Sequence, residues 1–377
     1  MIPLLDINAQ LKPLRDELLN AITEVMDSTR FIGGPKITEL EEKIAEYCGA
    51  GYGIGVSSGT DALLVTLMAL NVGKDDLVIT TPYSFFATAG VISRLHARPE
   101  LVDIDPDTYN MDSKQLAQWF QDNPGKAGKV KAILPVHLYG QCADMDGILA
   151  VANEHSIPVV EDAAQAIGAT YPSKDGEKKA GSMGATGCFS FFPSKNLGCM
   201  GDGGMVVVSD KALAEKIAKL RNHGASPKYY HAMIGGNFRL DALQAAVLLV
   251  KLPHLDVWHK ERRKNAAWYD EHFTLDNIKT PVLAYGREHH IFNQYVISVP
   301  EKRDELRDHL KKQDIGQEVY YPVPFHIQEC FQYLGYRKGD FPCSEYAAEH
   351  TLALPIYAEL TEEMQGVVVE AVEGFYR

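Results

Sequence analysis

Residues 187–205 read GCFSFFPSKNLGCMGDGGM, an apolar, glycine-rich run with a single cationic side chain, Lys195, at its centre. Burying an ammonium is costly unless it is paired or neutral. Desolvation therefore lowers a lysine's pKa, and a neutral amine can add to a carbonyl to form a Schiff base. The alternative is a surface lysine on a flexible loop. The flanking sequence bears on which of the two applies.

Upstream, IPVVEDAAQAIGATY (157–171) begins as a buried strand that ends in Asp162, with Gln165 three residues on. A carboxylate at the carboxyl end of such a strand can cap the next helix. It can also hold the proton of a pyridinium ring, the partner that pyridoxal phosphate needs to act as an electron sink. Further upstream, GYGIGVSSGTDAL (51–63) gives a strand over 52–57, a small-residue turn and an apolar helix over 61–70. Backbone N–H groups and the helix dipole make that junction an anion site. Simple N-capping by Ser58 or Thr60 is the other reading. Strands over 76–81, 100–105 and 131–140 alternate with helices over 112–122 and 143–156. Tyr83, Phe85 and Phe86 follow the first of these strands, where α/β sheets present ligands. An aromatic side chain there either packs in the core or covers a planar ring. This alternation predicts a mixed, mostly parallel sheet with helices on both faces.

Two amphipathic helices, 13–30 and 36–48, precede this unit. A strand over 205–208, a helix over 210–221 and a polar loop follow it. The helix over 241–250, DALQAAVLLV, is nearly all apolar and is expected in an inter-helix or subunit contact. A charged helix over 255–272 then leaves the first domain. The expected division is a large α/β domain over 1–252 and a small α+β domain over 253–377. The small domain should contain strands over 293–299 and 317–323 and helices over 301–313 and 361–374.

Fifty acidic against 37 basic residues give a net charge of -13, which argues against a nucleic-acid or anionic-membrane surface. No apolar run approaches the ~20 residues of a membrane span, and no signal-peptide core opens the chain. Six scattered cysteines without a CxxC pair are expected to be reduced thiols in a cytoplasmic protein, with no zinc site.

Seven motifs stand in one order: an opening helix with GGP, SSGTDAL (57–63), SFFAT (84–88), VEDAAQAIGA (160–169), SFFPSKNLGCMGDGG (190–204), GNFRLDALQAA (236–246) and YYPVPFHIQ (320–328). With them the chain resembles the DegT/StrS-type sugar-nucleotide aminotransferases, which are pyridoxal-phosphate enzymes of fold type I. The resemblance implies that Lys195 is the Schiff-base lysine and Asp162 the partner of the ring nitrogen. It implies that Gln165 lies beside the ring near its hydroxyl and that Phe85 stacks on the ring. Gly59, Thr60 and Ser190 would cradle the phosphate, joined by Asn237 from the other subunit of a homodimer. Arg239, Tyr320, Tyr321 and His326 would meet the sugar nucleotide. The implied reaction takes an amino group, with L-glutamate as donor and pyridoxamine phosphate as the carrier, to a keto sugar linked to UDP or dTDP. Such chemistry would serve bacterial surface-polysaccharide, lipopolysaccharide or deoxyamino-sugar biosynthesis. The stretch YYHAMIGGNFRLDALQ resembles members that aminate C3 of a 3-oxo sugar. Amination at C4, an enzyme acting only on amino acids, and a non-catalytic regulator of the same fold are the alternatives.

Overall fold

The computed structural model describes residues 1–377. Along the chain lie strands β1 (Tyr52–Val56), β2 (Leu77–Thr80), β3 (Arg98–Leu101), β4 (Val130–Ile133) and β5 (Val160–Asp162). A hairpin of β6 (Thr170–Ser173) and β7 (Gly176–Lys179) follows, then β8 (Thr186–Ser190) and β9 (Gly204–Val208). β2 lies between β3 and β4 and is parallel to both. β8 is parallel to β5 on one side and antiparallel to β9 on the other, and β9 is antiparallel to β1. Parallel bridges Ile133↔Val159 and Val136↔Asp162 join β4 to β5. The sheet therefore runs β3-β2-β4-β5-β8-β9-β1, and β9 alone is reversed. This is the mixed, mostly parallel sheet expected from the sequence. β2 and β9 are buried at every position, as continuous apolar strands covered on both faces should be.

The apolar helix Ala242–Lys251 is covered by its own chain. Ala242 and Ala245–Leu248 are buried, and the helix packs against helices Arg15–Ser28 and Pro35–Cys48. Its apolarity is expected to bury it in an inter-helix contact or between the subunits of a dimer with shared sites, and in the structure helices of the same chain provide the cover.

A separate core gathers Tyr269, Phe292, Tyr295, Leu306, Leu352 and Val368 around β10 (Tyr295–Ser298) and β11 (Thr351–Leu354), which pair antiparallel. Ile2 also belongs to this core. Its N–H donates to Asp314 O at 2.8 Å, and Gly316 N–H donates to Ile2 O at 2.7 Å. We propose the division between the two bodies at 252/253, where the turn Leu252–His254 separates helix Ala242–Lys251 from helix Leu255–His272. The strand expected over 317–323 is reduced to one bridge, Glu318↔Ala353. Pro322 and Pro324 have no N–H to donate to a ladder, and Tyr321 takes a left-handed backbone, φ +57°. No helix is long and apolar enough to cross a membrane, and all six cysteines are free.

Candidate active site

The carboxyl ends of β5 and β8 and the N-terminus of helix Gly59–Ala69 open onto one cavity of about 440 Å³. The loop carrying Lys195 spans from β8 to β9, and its two ends, Ser190 and Gly204, are cross-strand partners. The loop is thus clamped at both ends by the sheet, and it brings Lys195 into the cavity wall.

Asp162 ends β5 and is 4% exposed. Its Oδ2 accepts from Thr88 Oγ1 at 2.8 Å and its Oδ1 from Ala164 N–H at 3.2 Å, both neutral donors. Burial holds the carboxyl above its usual range, opposed by these hydrogen bonds and by the charge on Lys195. Burial pushes the Lys195 ammonium down to about 8, against the pull of Asp162. A buried carboxylate with only neutral partners is complementary to a cation placed in the cavity.

Ser58 caps the helix, its Oγ accepting from Asp61 N–H at 3.0 Å. The capping reading thus holds for Ser58, while Thr60 lines the cavity together with Gly59 and Ser190. The amides of Gly59 and Thr60 have no acceptor within the helix. A Cβ at position 59 would sit 2.7 Å from Ser190 Cβ, so only glycine keeps this cradle open. Phe85, 61% exposed, forms another wall. Gln165 accepts from Tyr139 N–H through Oε1 at 2.7 Å and donates through Nε2 to Tyr321 Oη at 2.7 Å. Tyr320 and Tyr321 complete the wall from the C-terminal part of the chain.

Three of the expected residues lie elsewhere. His326 is buried, and its Nε2 pairs with Glu345 Oε1 at 2.9 Å. Its ring meets Phe341 edge-on at 4.9 Å. It lines no part of the cavity, and its partners are those of a structural histidine. Asn237 is exposed and bridges to Asn222, outside its own chain's cavity. Arg239 donates to Asn222 Oδ1 at 2.7 Å, while its Nε is buried without an acceptor.

The structure adds residues that the sequence did not single out. Thr88 anchors Asp162. Glu161, wholly buried, accepts from the N–H groups of Gly181, Met183 and Gly184 at 2.6, 2.7 and 2.5 Å. It also pairs with His137 Nε2 at 2.8 Å. His137 Nδ1 accepts from Ala143 N–H at 3.1 Å, so Nε2 carries the proton and donates to Glu161. This brace fixes the turn before β8. Only the adjacency of Glu161 to Asp162 could have signalled it.

An anion cradle, an unmatched buried carboxylate, a lysine of lowered pKa and an exposed aromatic face fit a planar phosphorylated cofactor with an aldehyde and a basic ring nitrogen. Comparison with known proteins agrees. The model of the DegT/DnrJ/EryC1/StrS aminotransferase family matches residues 13–373. The chain is 49% identical to a "Pleiotropic regulatory protein" of Geobacillus stearothermophilus, over 100% of this chain and 99% of that one. It is 41% identical to the UDP-N-acetyl-3-dehydro-alpha-D-glucosamine 3-aminotransferase of Acidithiobacillus ferrooxidans, over 96% of this chain and 94% of the relative. Its fold matches the crystal structure of DesV of S. venezuelae in complex with a ketimine intermediate. The TM-score is 0.93 and the identity 38%, covering 99% and 98% of the two chains.

Proposed function

Since the chain belongs to the DegT/DnrJ/EryC1/StrS aminotransferase family, whose enzymes work with pyridoxal phosphate, we propose that it moves an amino group from L-glutamate to C3 of a nucleotide-linked 3-oxo hexose. The observation that carries this reading is the pairing of Asp162 and Lys195 in one cavity. Each carries a pKa shifted by burial, and neither has a neutralising partner in contact.

When bound, the cofactor supplies an aldehyde and a ring that takes up the electron pair released at the amino acid's Cα. The chain's own residues do the rest. Gly59, Thr60 and Ser190 bind the phosphate at the helix N-terminus. Asp162, oriented by the hydrogen bonds from Thr88 and Ala164, holds the proton on the ring nitrogen. Lys195 covers the range around neutrality with a pKa of about 8, so as a free amine it takes the proton from Cα and returns it as an acid. Phe85 shields one ring face from water. Tyr320 lies where the sugar enters.

The C3 assignment is supported by the stretch YYHAMIGGNFRLDALQ and by the name of the Acidithiobacillus relative. The nucleotide is UDP or dTDP. A homodimer with shared sites is part of the proposal. Its support is that Asn237, which is exposed, and the nearby Arg239 lie outside their own chain's cavity. The name of the Geobacillus relative favours a second reading, a regulator. Loss of Lys195 or of Asp162 would have favoured a regulator that binds the cofactor without catalysis, and both residues are present.

One spectroscopic experiment tests the proposal. L-Glutamate should bleach the visible band of the purified protein, expected at ~410–430 nm from the cofactor's chemistry. A UDP- or dTDP-linked 3-oxo sugar should restore it. Recovery with a 4-oxo sugar alone would move the reaction to C4, and a band that glutamate leaves unchanged would favour the regulator.

A further inference from the structure

We propose that Tyr321 is a positioning residue, fixing the Gln165 amide so that its second N–H donates to the cofactor's ring oxygen. The inference rests on the cofactor reading above and replaces the expectation that Tyr321 meets the sugar nucleotide.

The orientation of Gln165 follows from what it touches. The Tyr139 backbone N–H, 2.7 Å away, can only donate, so the atom facing it is the amide oxygen. Nε2 therefore faces Tyr321 Oη at 2.7 Å and spends one N–H there. Gln165 lines the cavity and is 6% exposed, which leaves its other N–H for a ligand acceptor. A glutamine held this way is a donor to any oxygen beside it and cannot turn to accept.

Tyr321 is itself held tightly. Its ring stacks on Tyr139 at 6.3 Å and 14°, and meets Tyr83 edge-on at 5.5 Å. Tyr83 Oη in turn contacts Tyr139 Oη at 3.0 Å and Thr351 Oγ1 at 2.9 Å. Tyr321 and Tyr139 both take left-handed backbones, φ +57° and +59°. That conformation is unfavourable for a bulky side chain and persists where the surroundings over-determine it. The two strained tyrosines flank one glutamine from opposite parts of the chain. Burial pushes the Tyr321 phenol up, so it stays protonated in the working range. The titratable groups around this pair are Tyr83, Tyr139, Tyr320, Asp162 and Lys195.

The test reads the pH midpoint of the holoenzyme's visible band in wild type, Tyr321→Phe, Gln165→Leu and the double variant. A ring oxygen that loses a donor becomes more basic and keeps its shared proton to higher pH. Gln165→Leu should raise the midpoint by roughly one pH unit, the equivalent of one net hydrogen bond. Tyr321→Phe should raise it in the same direction by less, and the double variant by no more than Gln165→Leu. An unchanged midpoint in Tyr321→Phe overturns the proposal, as do fully additive shifts. A raised KM for the sugar with an unmoved midpoint would make Tyr321 a sugar contact instead. Should Tyr321→Phe fail to fold, Gln165→Glu replaces the donor by an acceptor. Its midpoint should exceed that of Gln165→Leu, and a wild-type midpoint there refutes the orientation. A wild-type protein without the band refutes the cofactor reading, and this proposal with it.

Discussion

Replacing Asp162 with Asn separates charge from shape at the centre of the site. The amide can repeat both contacts, its oxygen accepting from Ala164 N–H and its nitrogen donating to Thr88 Oγ1. The Thr88 hydroxyl then turns to donate to Ser84 Oγ, 3.0 Å away. The fold should survive, and the loss is the negative charge alone. Truncating one partner of a buried charge pair costs about 2–5 kcal/mol. A loss of about 3 kcal/mol in the transition state slows the half-reaction on the order of 100-fold. Stopped-flow bleaching by L-glutamate, with the cofactor still covalently bound, measures this. Without cofactor the sign reverses. Burial raises the Asp162 pKa in the folded state, so the folded state binds the extra proton. Stability conferred by that proton is present at acid pH and is lost as pH rises through the raised value. The cofactor-free Asn variant should therefore melt higher than the cofactor-free wild type at neutral pH. A bleaching rate within about threefold of wild type, with cofactor bound, refutes the reasoning, because a charge pair of even 2 kcal/mol predicts roughly 30-fold.

Gly59→Ala places a methyl 2.7 Å from Ser190 Cβ. At about 1–3 kcal/mol for overpacking, cofactor affinity in a fluorescence titration should fall on the order of tenfold, and unchanged affinity would remove Gly59 from the cradle. Lys195 of cofactor-free protein should capture pyridoxal phosphate faster as pH rises through about 8, then level off, because the neutral amine is the nucleophile. Absorbance growth that still climbs up to about pH 10, the range of an ordinary lysine, would contradict that. For the dimer, Lys195→Ala subunits mixed with Asn237→Ala/Arg239→Ala subunits should regain activity that neither parent has. Confirmed subunit exchange without regained activity would return Asn237 and Arg239 to their own chain.

Much of the site could be read in the sequence because its residues sit at element ends, where pattern and chemistry coincide. Asp162 closes an apolar strand, Gly59 and Thr60 open a helix, and Lys195 interrupts a glycine-rich run. Partners in space were not legible. Thr88 and Glu161 gain their roles from residues 74 and 20 positions away. His326 looks the same in sequence whether it meets a sugar or Glu345. The strand expected over 317–323 has the right apolar content, yet Pro322 and the turned backbone at Tyr321 deny it a ladder. The helix Ala242–Lys251 shows a similar limit, since apolarity demands cover without saying which chain provides it. β8 went unread because it is only five residues long and Gly187, Cys188 and Ser190 interrupt the strand-forming Thr186 and Phe189.

The hydrogen bonds of Ile2 with Asp314 and Gly316 also have a bearing on biosynthesis. Ile2 must wait for more than three hundred later residues before its partners exist, whereas the sheet that carries Asp162 and Lys195 is complete by Val208. The cofactor cradle can thus form on the nascent chain, while the wall bearing Tyr320 and Tyr321 is closed only when Ile2 meets Asp314 and Gly316. An affinity tag fused at Met1 would sit beside Ile315, five residues from Tyr320, and would disturb that late step first.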